Sequence, residues 1–294
     1  MSAILRRLVG IVAAAHAAMV PACSGQTGDV ASANEPSRTH LVATVEQQTS
    51  VGQTAPDELS VFLSVLKIPQ SINSDRVLRL MSLRSDLPVV GNCEVIDLAN
   101  RASPSLSRVE RIEFVDIGDV TIASGKRSLR LARQAFPTVT DFISGVVYTS
   151  RDKHADLLPL DGRLTISARG ASKLKPFSAE VRDVPRLERV QIDGTPLGQV
   201  VRLSVDNAFE LQWSKGAPGD VIWLEYAANS GRKVVSCAFD DSLGSARVPG
   251  ALSTELGEAR LTLHRLHRDS VSLPGFDQAD IQFDTRVSQA VRLF

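Results

Sequence analysis

Short runs of alternating apolar and polar residues occupy most of the chain after residue 57. Runs such as "SVFLSVLKIP" (60–69) and "ARLTLHRL" (259–266) tend to place an apolar residue at every second position. A period of two puts the apolar side chains on one face of a β-strand. Turn residues such as Asp193-Gly194 separate the runs. Many short strands joined by turns are typical of a sandwich or a barrel, so the sequence predicts an all-β fold.

A weak internal similarity bears on the number of sandwich units. "VERIEF", which starts at Val109, resembles "LERVQI", which starts at Leu187, and further runs recur in the same order. One interpretation is two tandem β-sandwich units, residues 57–185 and 186–294. The other is that strands look alike because they share a composition. The sequence therefore predicts one or two β-sandwich units.

The second half of the chain resembles immunoglobulin and fibronectin type III domains in its architecture. Trp213 ends one predicted strand and Trp223 lies in the next, as a core tryptophan would. The resemblance implies a β-sandwich and carries over no functional residue. We expect Trp213, Trp223 and Tyr226 to belong to the core and its rim, because a sugar-binding platform needs several exposed aromatic rings.

Residues 1–22 have the three-part layout of a secretory signal peptide. Arg6 and Arg7 form the basic start, residues 8–20 are almost all apolar or small, and small residues precede Cys23. The apolar run is too short for a comfortable transmembrane helix, which needs about 20 apolar residues. We therefore predict cleavage between Ala22 and Cys23.

Residues 20–23, "VPAC", resemble the lipobox of bacterial lipoproteins. The resemblance implies that Cys23 receives a diacylglycerol thioether and a further acyl chain on its new amino group, and two or more chains anchor a protein firmly. Pro21 departs from the motif, and an ordinary signal peptidase would cut the same bond. Ser24, not Asp, follows Cys23, which in Gram-negative lipoproteins implies the outer membrane, with the body facing the periplasm or the outside.

Residues 23–56 are predicted to form the lipidated cysteine and a flexible tether, within which "HLVATV" (40–45) could instead be a short strand. They are rich in Ser, Thr, Gln, Gly and Ala and contain few large apolar residues. Such a composition is typical of a linker. The predicted tether would hold the folded body away from the membrane surface.

The charge balance argues against nucleic acid as a partner. The chain has 33 basic and 33 acidic residues. Removing residues 1–22 removes Arg6 and Arg7, which leaves 31 against 33 and a net charge of −2. Nucleic-acid binding needs a basic field, and a direct grip on anionic lipids needs a polybasic segment. The predicted partners are the membrane, through the lipid anchor, and an unknown protein or glycan.

The predicted export of the chain bears on how its cysteines pair. The chain contains Cys23, Cys93 and Cys237. If Cys23 carries lipid, an even pair remains in an oxidising environment. Cys93 and Cys237 are therefore a candidate disulfide that would staple the two halves together. The alternative is two separate buried thiols.

Four polar residues are the weak candidates for chemistry: Asp240, Asp241, His264 and His267. The two histidines are three residues apart on a predicted strand, so their side chains point to opposite faces and cannot share a metal. We expect both at the surface. The two aspartates lack the alternating spacing of a calcium loop, and we expect a structural turn there.

Two functional hypotheses follow from these observations. The first is a non-catalytic lipoprotein that binds a partner or packs into an envelope assembly. The second is an exported hydrolase whose site is assembled from scattered Asp, His and Ser residues. The chain has no G-x-S-x-G elbow, phosphate-binding glycine loop or C-x-x-C motif, so no cofactor or metal is predicted.

Overall fold

The structure, a computed structural model, describes residues 36–51, 57–81, 83–99, 112–136, 143–150, 162–171, 174–182, 186–229, 231–252 and 255–294. The predicted signal peptide, Ala22, Cys23 and the rest of the predicted tether before residue 36 lie outside this part. The described residues belong to one compact unit. They are almost all in strands and turns, so the prediction of an all-β fold is confirmed.

The elements of the first half, in chain order, are β1 (Ser37–Ser50), β2 (Glu58–Pro69), α1 (Ser74–Leu80), β3 (Cys93–Asp97), β4 (Ile112–Phe114), β5 (Val120–Ser124), β6 (Arg127–Arg130), β7 (Ala132–Phe136), β8 (Ile143–Thr149), β9 (Arg163–Ala168) and β10 (Phe177–Arg182). Those of the second half are β11 (Gln191–Ile192), β12 (Thr195–Pro196), β13 (Val201–Leu203), β14 (Phe209–Gln212), β15 (Val221–Ala228), β16 (Lys233–Asp240), a 3₁₀ turn (Asp241–Leu243), β17 (Ser245–Val248), β18 (Gly257–Ser270) and β19 (Gln278–Leu293).

One long sheet connects the whole described body. Within the described residues its order is β3-β16-β15-β18-β19-β1-β2-β4-β8-β7, and β13 also pairs with β19. The predicted boundary at residues 185 and 186 falls between β10 and β11. The long sheet is not divided there, because β1 pairs with β19 and β3 pairs with β16. The two predicted units therefore share this sheet.

Two small sheets each cover part of one side of the long sheet. The first has the order β10-β9-β5-β6 and the second has the order β12-β11-β14-β17. Core 1 lies between the long sheet and the first small sheet and includes Leu63, Ile122 and Ile166. Core 2 lies between the long sheet and the second small sheet and includes Leu211 and Leu263. The result is two sandwich-like layers along one continuous sheet.

The long strand β19 contributes to both cores. Phe283, near its start, packs in core 1, and Val291, near its end, packs in core 2. The side of the long sheet that faces these cores is called the core side, and the opposite side is called the outer side. On the outer side, a third cluster that includes Leu66 and Phe114 packs against Val77 and Leu78 of α1. Helix α1 thus packs on the outer side near β1, β2, β4 and β8.

The tether prediction is wrong for residues 37–50, which form β1 in the middle of the long sheet. Leu41, Ala43 and Val45 alternate into core 1, and β1 pairs with β2 on one side and with β19 on the other. The run "HLVATV" has the period of two of a strand. Its polar surroundings gave the segment a linker composition, but burial between two long strands outweighs that composition.

Candidate functional site

Asp241, one of the four candidates, is fully buried in an ion pair with Arg265. Arg265 Nε donates to Asp241 Oδ2 over 2.7 Å, and Nη2 donates to Oδ1 over 3.1 Å. Neither side chain has exposed surface. Arg265 also donates to the carbonyl oxygens of Arg186 and Ser214. A sealed and hydrogen-bonded charge pair connects parts of the fold and offers nothing to a substrate.

The backbone closes tightly around Asp241. Gly216 N donates to Asp241 Oδ1 over 3.2 Å, and any side chain at Gly216 would clash with that carboxylate. Trp213 Nε1 donates to the carbonyl oxygen of Asp241 over 3.0 Å. Burial raises the pKa of Asp241, and the bonds from Arg265 oppose that shift. Asp241 therefore connects the end of β16 to β18 and to the loop after β14.

Asp240 caps the 3₁₀ turn that follows it. Its Oδ1 accepts from Ser242 N over 2.9 Å and from Ser242 Oγ over 2.7 Å. These bonds to the charged form lower the pKa of Asp240. The structure therefore has the turn that the sequence predicts at Asp240 and Asp241, and it gives each carboxylate a structural partner.

The two candidate histidines lie on opposite sides of β18. His267 is on the core side, where its Nδ1 lies 2.6 Å from Asp220 Oδ1 and its Nε2 lies 3.2 Å from Asp269 Oδ1. The hydrogen bond with Asp220, followed by the charges of both aspartates, raises the pKa of His267 although partial burial opposes this. His267 joins the start of β15 to β18.

His264 lies on the outer side, and the expectation that it would be a surface residue is wrong. Only 5% of it is exposed. Its Nδ1 lies 2.8 Å and 3.1 Å from the two carboxylate oxygens of Asp284. Because an ionised carboxylate only accepts hydrogen bonds, Nδ1 is the donor. The Nε2 atom lies 4.0 Å from Glu225 Oε2.

Strand register places His264 at the centre of a polar surface. Trp223 on β15, His264 on β18, Arg286 on β19 and Gln48 on β1 lie directly opposite one another. We call the surface around this row the central polar face. Its members are Trp223, Glu225, His264, Asp284, Arg286 and Glu46. They come from four neighbouring strands, so the pairing of the strands assembles the face.

The central polar face combines an aromatic ring with charged groups. The rings of Trp223 and His264 have centroids 4.4 Å apart and planes 31° apart. Trp223 Nε1 donates to Ser236 Oγ over 2.8 Å. Arg286 Nη2 donates to Glu46 Oε2 over 3.1 Å. About a third of each of the Glu225, Arg286 and Glu46 side chains is exposed, at 32%, 29% and 37%.

The expectation that Trp213, Trp223 and Tyr226 belong to the core and its rim holds for two of the three. Trp213 and Tyr226 are buried in core 2. Trp223 is half-buried on the outer side instead, because it alternates with the core residues Ile222 and Leu224 of β15. The alternation along β15 thus places the ring on the face opposite core 2.

A second polar site lies in a cavity of about 530 Å³ beside α1. We call it the Ser74 cavity, and its lining includes Arg38, His40, Ser74, Asp75 and Asp277. Ser74 Oγ lies 3.2 Å from His40 Nε2. His40 is buried, and among the described residues nothing hydrogen-bonds to its Nδ1. Burial lowers the pKa of His40, against the opposing charge of Asp277, so the ring is neutral near pH 7.

The four candidates from the sequence do not converge on one cleft. Asp241 and His267 lie near Asp220, but each is held by a structural partner, and His264 lies on the other side of the sheet. No group of three or more His, Cys, Asp or Glu residues in the described ranges could hold a metal ion.

The residues that sequence reasoning missed are His40, Ser74, Glu225, Asp284, Arg286 and Glu46. Strand register brings Glu225, Asp284, Arg286 and Glu46 together on the central polar face, whereas the position of α1 brings Ser74 to His40.

Cys93 and Cys237 form a disulfide bond. The two cysteines are opposite each other on β3 and β16, and Cys237 lies in core 2. The bond thus links β3, the strand at the end of the long sheet, covalently to β16.

In the described part of the chain, no helix is long and apolar enough to cross a membrane.

No family model matches the chain, and no curated protein matches it. Two solved structures align with low similarity. A crystal structure of murine CEACAM1b is 13% identical, covers 86% of this chain and 98% of its own, and has a TM-score of 0.16. The Fcho1 Mu homology domain of Danio rerio with a bound Eps15 peptide is 12% identical, covers 88% and 98%, and has a TM-score of 0.23. At these scores neither likeness carries an argument about this protein.

Proposed function

We propose that this protein is a lipid-anchored bacterial envelope protein with a non-catalytic body that binds a glycan through the central polar face. The observation that carries the binding role is the Trp223–His264 pair, a half-buried aromatic ring among charged side chains on the outer side of the sheet. The observation behind the anchor is the lipobox-like "VPAC" at residues 20–23. Ser24 supports the outer membrane as the location.

The start of β1 limits the distance between the anchor and the body. Ser37 comes 14 residues after Cys23 (37 − 23). A fully extended chain spans at most about 3.5 Å per residue, so these residues reach about 50 Å at most. Because β1 lies in the middle of the long sheet, the anchor connects directly to a central strand. The proposed anchor thus keeps the body near the membrane surface.

Labelling with a fatty-acid analogue tests the anchor. The wild-type protein should take up the label and fractionate with the outer membrane, and Cys23→Ser should lose both properties. Cys93→Ser/Cys237→Ser is the matched control, because it removes cysteines that are paired in the body and should still be labelled. An unlabelled wild type, or a labelled Cys23→Ser, contradicts the anchor.

The chemistry of the central polar face favours a glycan over a purely apolar ligand. Sugar rings pack an apolar face of C–H groups on aromatic rings and present hydroxyls that donate to carboxylates and accept from guanidinium groups. Trp223 supplies one ring instead of the several exposed rings of an aromatic platform, so the polar groups would make most of the contacts. Glu225 and Glu46 supply acceptors, and Arg286 supplies donors. With three carboxylates against one guanidinium and one imidazole, the face is net negative, which suits an uncharged oligosaccharide better than a polyanion.

A panel of immobilised neutral oligosaccharides tests the ligand class. The wild-type protein should bind members of the panel, and Trp223→Ala should lose binding at least tenfold. Trp213→Phe is the control, because Trp213 lies in core 2 and away from the outer side. Equal binding by wild type and Trp223→Ala would place any glycan site elsewhere.

The Ser74 cavity supports the alternative of an exported hydrolase. A neutral imidazole 3.2 Å from a serine hydroxyl can accept the hydroxyl proton while the oxygen attacks an ester carbonyl. A fluorophosphonate probe tests this directly, since it reacts with an activated serine. The hydrolase alternative expects labelling that both Ser74→Ala and His40→Gln abolish. The non-catalytic proposal expects no labelling in any of the three proteins.

A further inference from the structure

The outward face of the first small sheet carries hydroxyl groups in place of apolar side chains. Leu164 and Ile166 of β9 pack in core 1, so the residues that alternate with them point away from the core. Strand register aligns hydroxyl side chains from all four strands of the sheet on this outward face. We call this set the hydroxyl lane, and its members are Thr121, Ser128, Thr165, Ser167 and Ser178.

Two pairs of arginines border the hydroxyl lane. Arg163 on β9 lies opposite Arg182 on β10 at one end of the lane. Arg169, six positions after Arg163 (169 − 163), and Arg130 on β6 lie at the other end. A strand rises about 3.3 Å per residue, so the two ends are about 20 Å apart. All four arginines are exposed, so the surface is open to a large ligand.

The carboxylates on this surface are fewer than the arginines. Arg163 Nη1 donates to Glu180 Oε1 over 2.7 Å. Asp119 forms ion pairs with both Arg130 and Arg169. Four guanidinium groups against two carboxylates leave a net charge of +2 (4 − 2). The surface is therefore basic, whereas the central polar face is acidic.

Arg182 is the arginine that is most available to an anion. Among the described residues it has no ion-pair partner, because Glu180 is bonded to Arg163 instead. Its position directly opposite Arg163 brings two positive charges together, which destabilises a pair of strands. A bound carboxylate would relieve this repulsion, so this end of the lane favours an anionic ligand.

We propose that the hydroxyl lane and its four arginines bind an acidic polysaccharide whose sugars carry carboxylate groups. A guanidinium group presents a planar fork that donates two parallel hydrogen bonds to one carboxylate. The hydroxyls of Ser and Thr both donate and accept, as the hydroxyls of sugars do. The polysaccharide runs along the lane, with carboxylates at the arginines of both ends and sugar hydroxyls between them. The surface belongs to the first small sheet, so this site is separate from the central polar face.

The side chains of this surface favour a polysaccharide over other large ligands. Protein interfaces and surfaces that insert into membranes use exposed apolar groups, and the central rows of the lane contain one apolar side chain, Ala123. Single-stranded nucleic acid stacks its bases on aromatic rings, which these rows do not contain. Attraction to anionic lipids uses clusters of about 4–8 basic residues, and here half of that charge is neutralised. The hydroxyl groups are the feature that a sugar chain would use.

Binding of the purified full-length protein to immobilised polygalacturonate tests the site. Polygalacturonate is a chain of uronic acids, and its methyl ester has the same sugar chain without the charges. The wild type should bind the acid at least tenfold more tightly than the ester. Arg163→Gln/Arg182→Gln should weaken binding to the acid at least tenfold. Arg202→Gln/Arg292→Gln is the matched control and should bind as the wild type does, because it removes the same charge from two other exposed arginines that lie opposite each other, on β13 and β19.

Thr165→Val separates recognition of the sugar from attraction between charges. It removes one hydroxyl from the lane and changes no charge. A single neutral hydrogen bond corresponds to a loss of about threefold in binding to polygalacturonate. The wild type should also bind vesicles of phosphatidylcholine equally well with and without phosphatidylglycerol, because the site is not a lipid site.

Four results would overturn the proposal. They are equal binding of the acid and the ester by the wild type, wild-type binding of the acid by Arg163→Gln/Arg182→Gln, wild-type binding by Thr165→Val, and a preference for phosphatidylglycerol that the arginine variant loses. Trp223→Ala distinguishes this site from the central polar face, since it should keep wild-type binding to polygalacturonate whether or not neutral oligosaccharides bind. A loss of polygalacturonate binding in Trp223→Ala would place the acidic polysaccharide on the central polar face and would also overturn the proposal.

Discussion

His264 and Arg265 are neighbours in sequence but lie on opposite sides of the long sheet, and their surroundings differ completely. Arg265 has no exposed surface, and its donors reach Asp241 and two carbonyl oxygens. His264 is also nearly buried and bonds the buried Asp284, but it stacks on the half-buried ring of Trp223 and lies 4.0 Å from Glu225, whose side chain is 32% exposed. The comparison shows that a charged residue such as Arg265 has a structural role when its hydrogen-bond partners enclose it completely. Under the proposed function, a residue on the other side contributes to ligand binding instead, because neighbours such as Glu225 keep exposed polar groups.

The largest effect should come from breaking the enclosed pair on the core side. Arg265→Met leaves Asp241 buried without its partner, and the free energy of unfolding should fall by about 3–5 kcal/mol. Urea unfolding measures the loss. Arg265→Met/Asp241→Leu removes both charges and should recover most of the stability. A loss below about 1 kcal/mol for the single variant would mean that water reaches Asp241.

A second large effect should come from the cross-link on the same side. The Cys93–Cys237 bond closes a loop with a sequence separation of 144. The chain-entropy model gives about 5 kcal/mol for such a loop, and measured losses are about 2–5 kcal/mol. Cys93→Ser/Cys237→Ser should lower the free energy of unfolding by that amount. Addition of a reductant to the unfolding reaction should destabilise the wild type equally and leave the variant unchanged.

A smaller effect should appear in the pH dependence of stability through His267. Its pKa is raised in the folded protein, chiefly by Asp220, so the folded state binds the proton more tightly than the unfolded state. The stabilisation is complete below the unfolded pKa of about 6.5 and is lost as the pH rises through the raised folded pKa. For a partly exposed pair it amounts to about 1 kcal/mol or less.

Melting temperatures of the wild type and His267→Gln across this pH range measure that contribution. The difference between the two proteins should be largest at pH 5–6 and should shrink as the pH rises. The lowered pKa of His40 affects both proteins in the same way, so it cancels in the difference. A difference that grows with pH would contradict the ion pair with Asp220.

The smallest effect on stability should come from the central polar face. Glu225→Gln changes a side chain that is a third exposed, and surface charge changes of this kind alter stability by about 0.5 kcal/mol or less. Its effect on oligosaccharide affinity should be about tenfold, which corresponds to about 1.4 kcal/mol. Unfolding and binding measured on the same preparation would separate the two roles. A large loss of stability would place Glu225 among the structural residues instead.

The sequence allowed the fold class to be predicted because a period of two is local information. Runs such as "VIWLEYA" at 221–227 show which residues alternate. The assignment of β1 failed because its central place in the sheet depends on pairing with β19, which is distant in sequence, as well as with β2. The central polar face could not be predicted for the same reason. Glu46 and Arg286 are 240 residues apart, and only the pairing of β1 with β19 brings them together.

Alternation alone also could not settle which side of a strand faces a core. The residues of β18 could be divided into two faces from the sequence, and His264 and Arg265 then fall on opposite sides. Which of the two sides is sealed depends on where the second small sheet and the loop with Ser214 lie. The identity of the partner residue, Asp241 or Asp284, likewise follows from topology.

Fluorescence of Trp223 tests the account most directly. The chain has two tryptophans, so Trp213→Phe leaves Trp223 as the sole reporter on the central polar face. Titration with an oligosaccharide that binds the wild type should change the emission of Trp223 to a plateau, and Glu225→Gln should shift the midpoint to about tenfold higher concentration. Binding that leaves the emission of Trp223 unchanged would contradict the central polar face as the binding site.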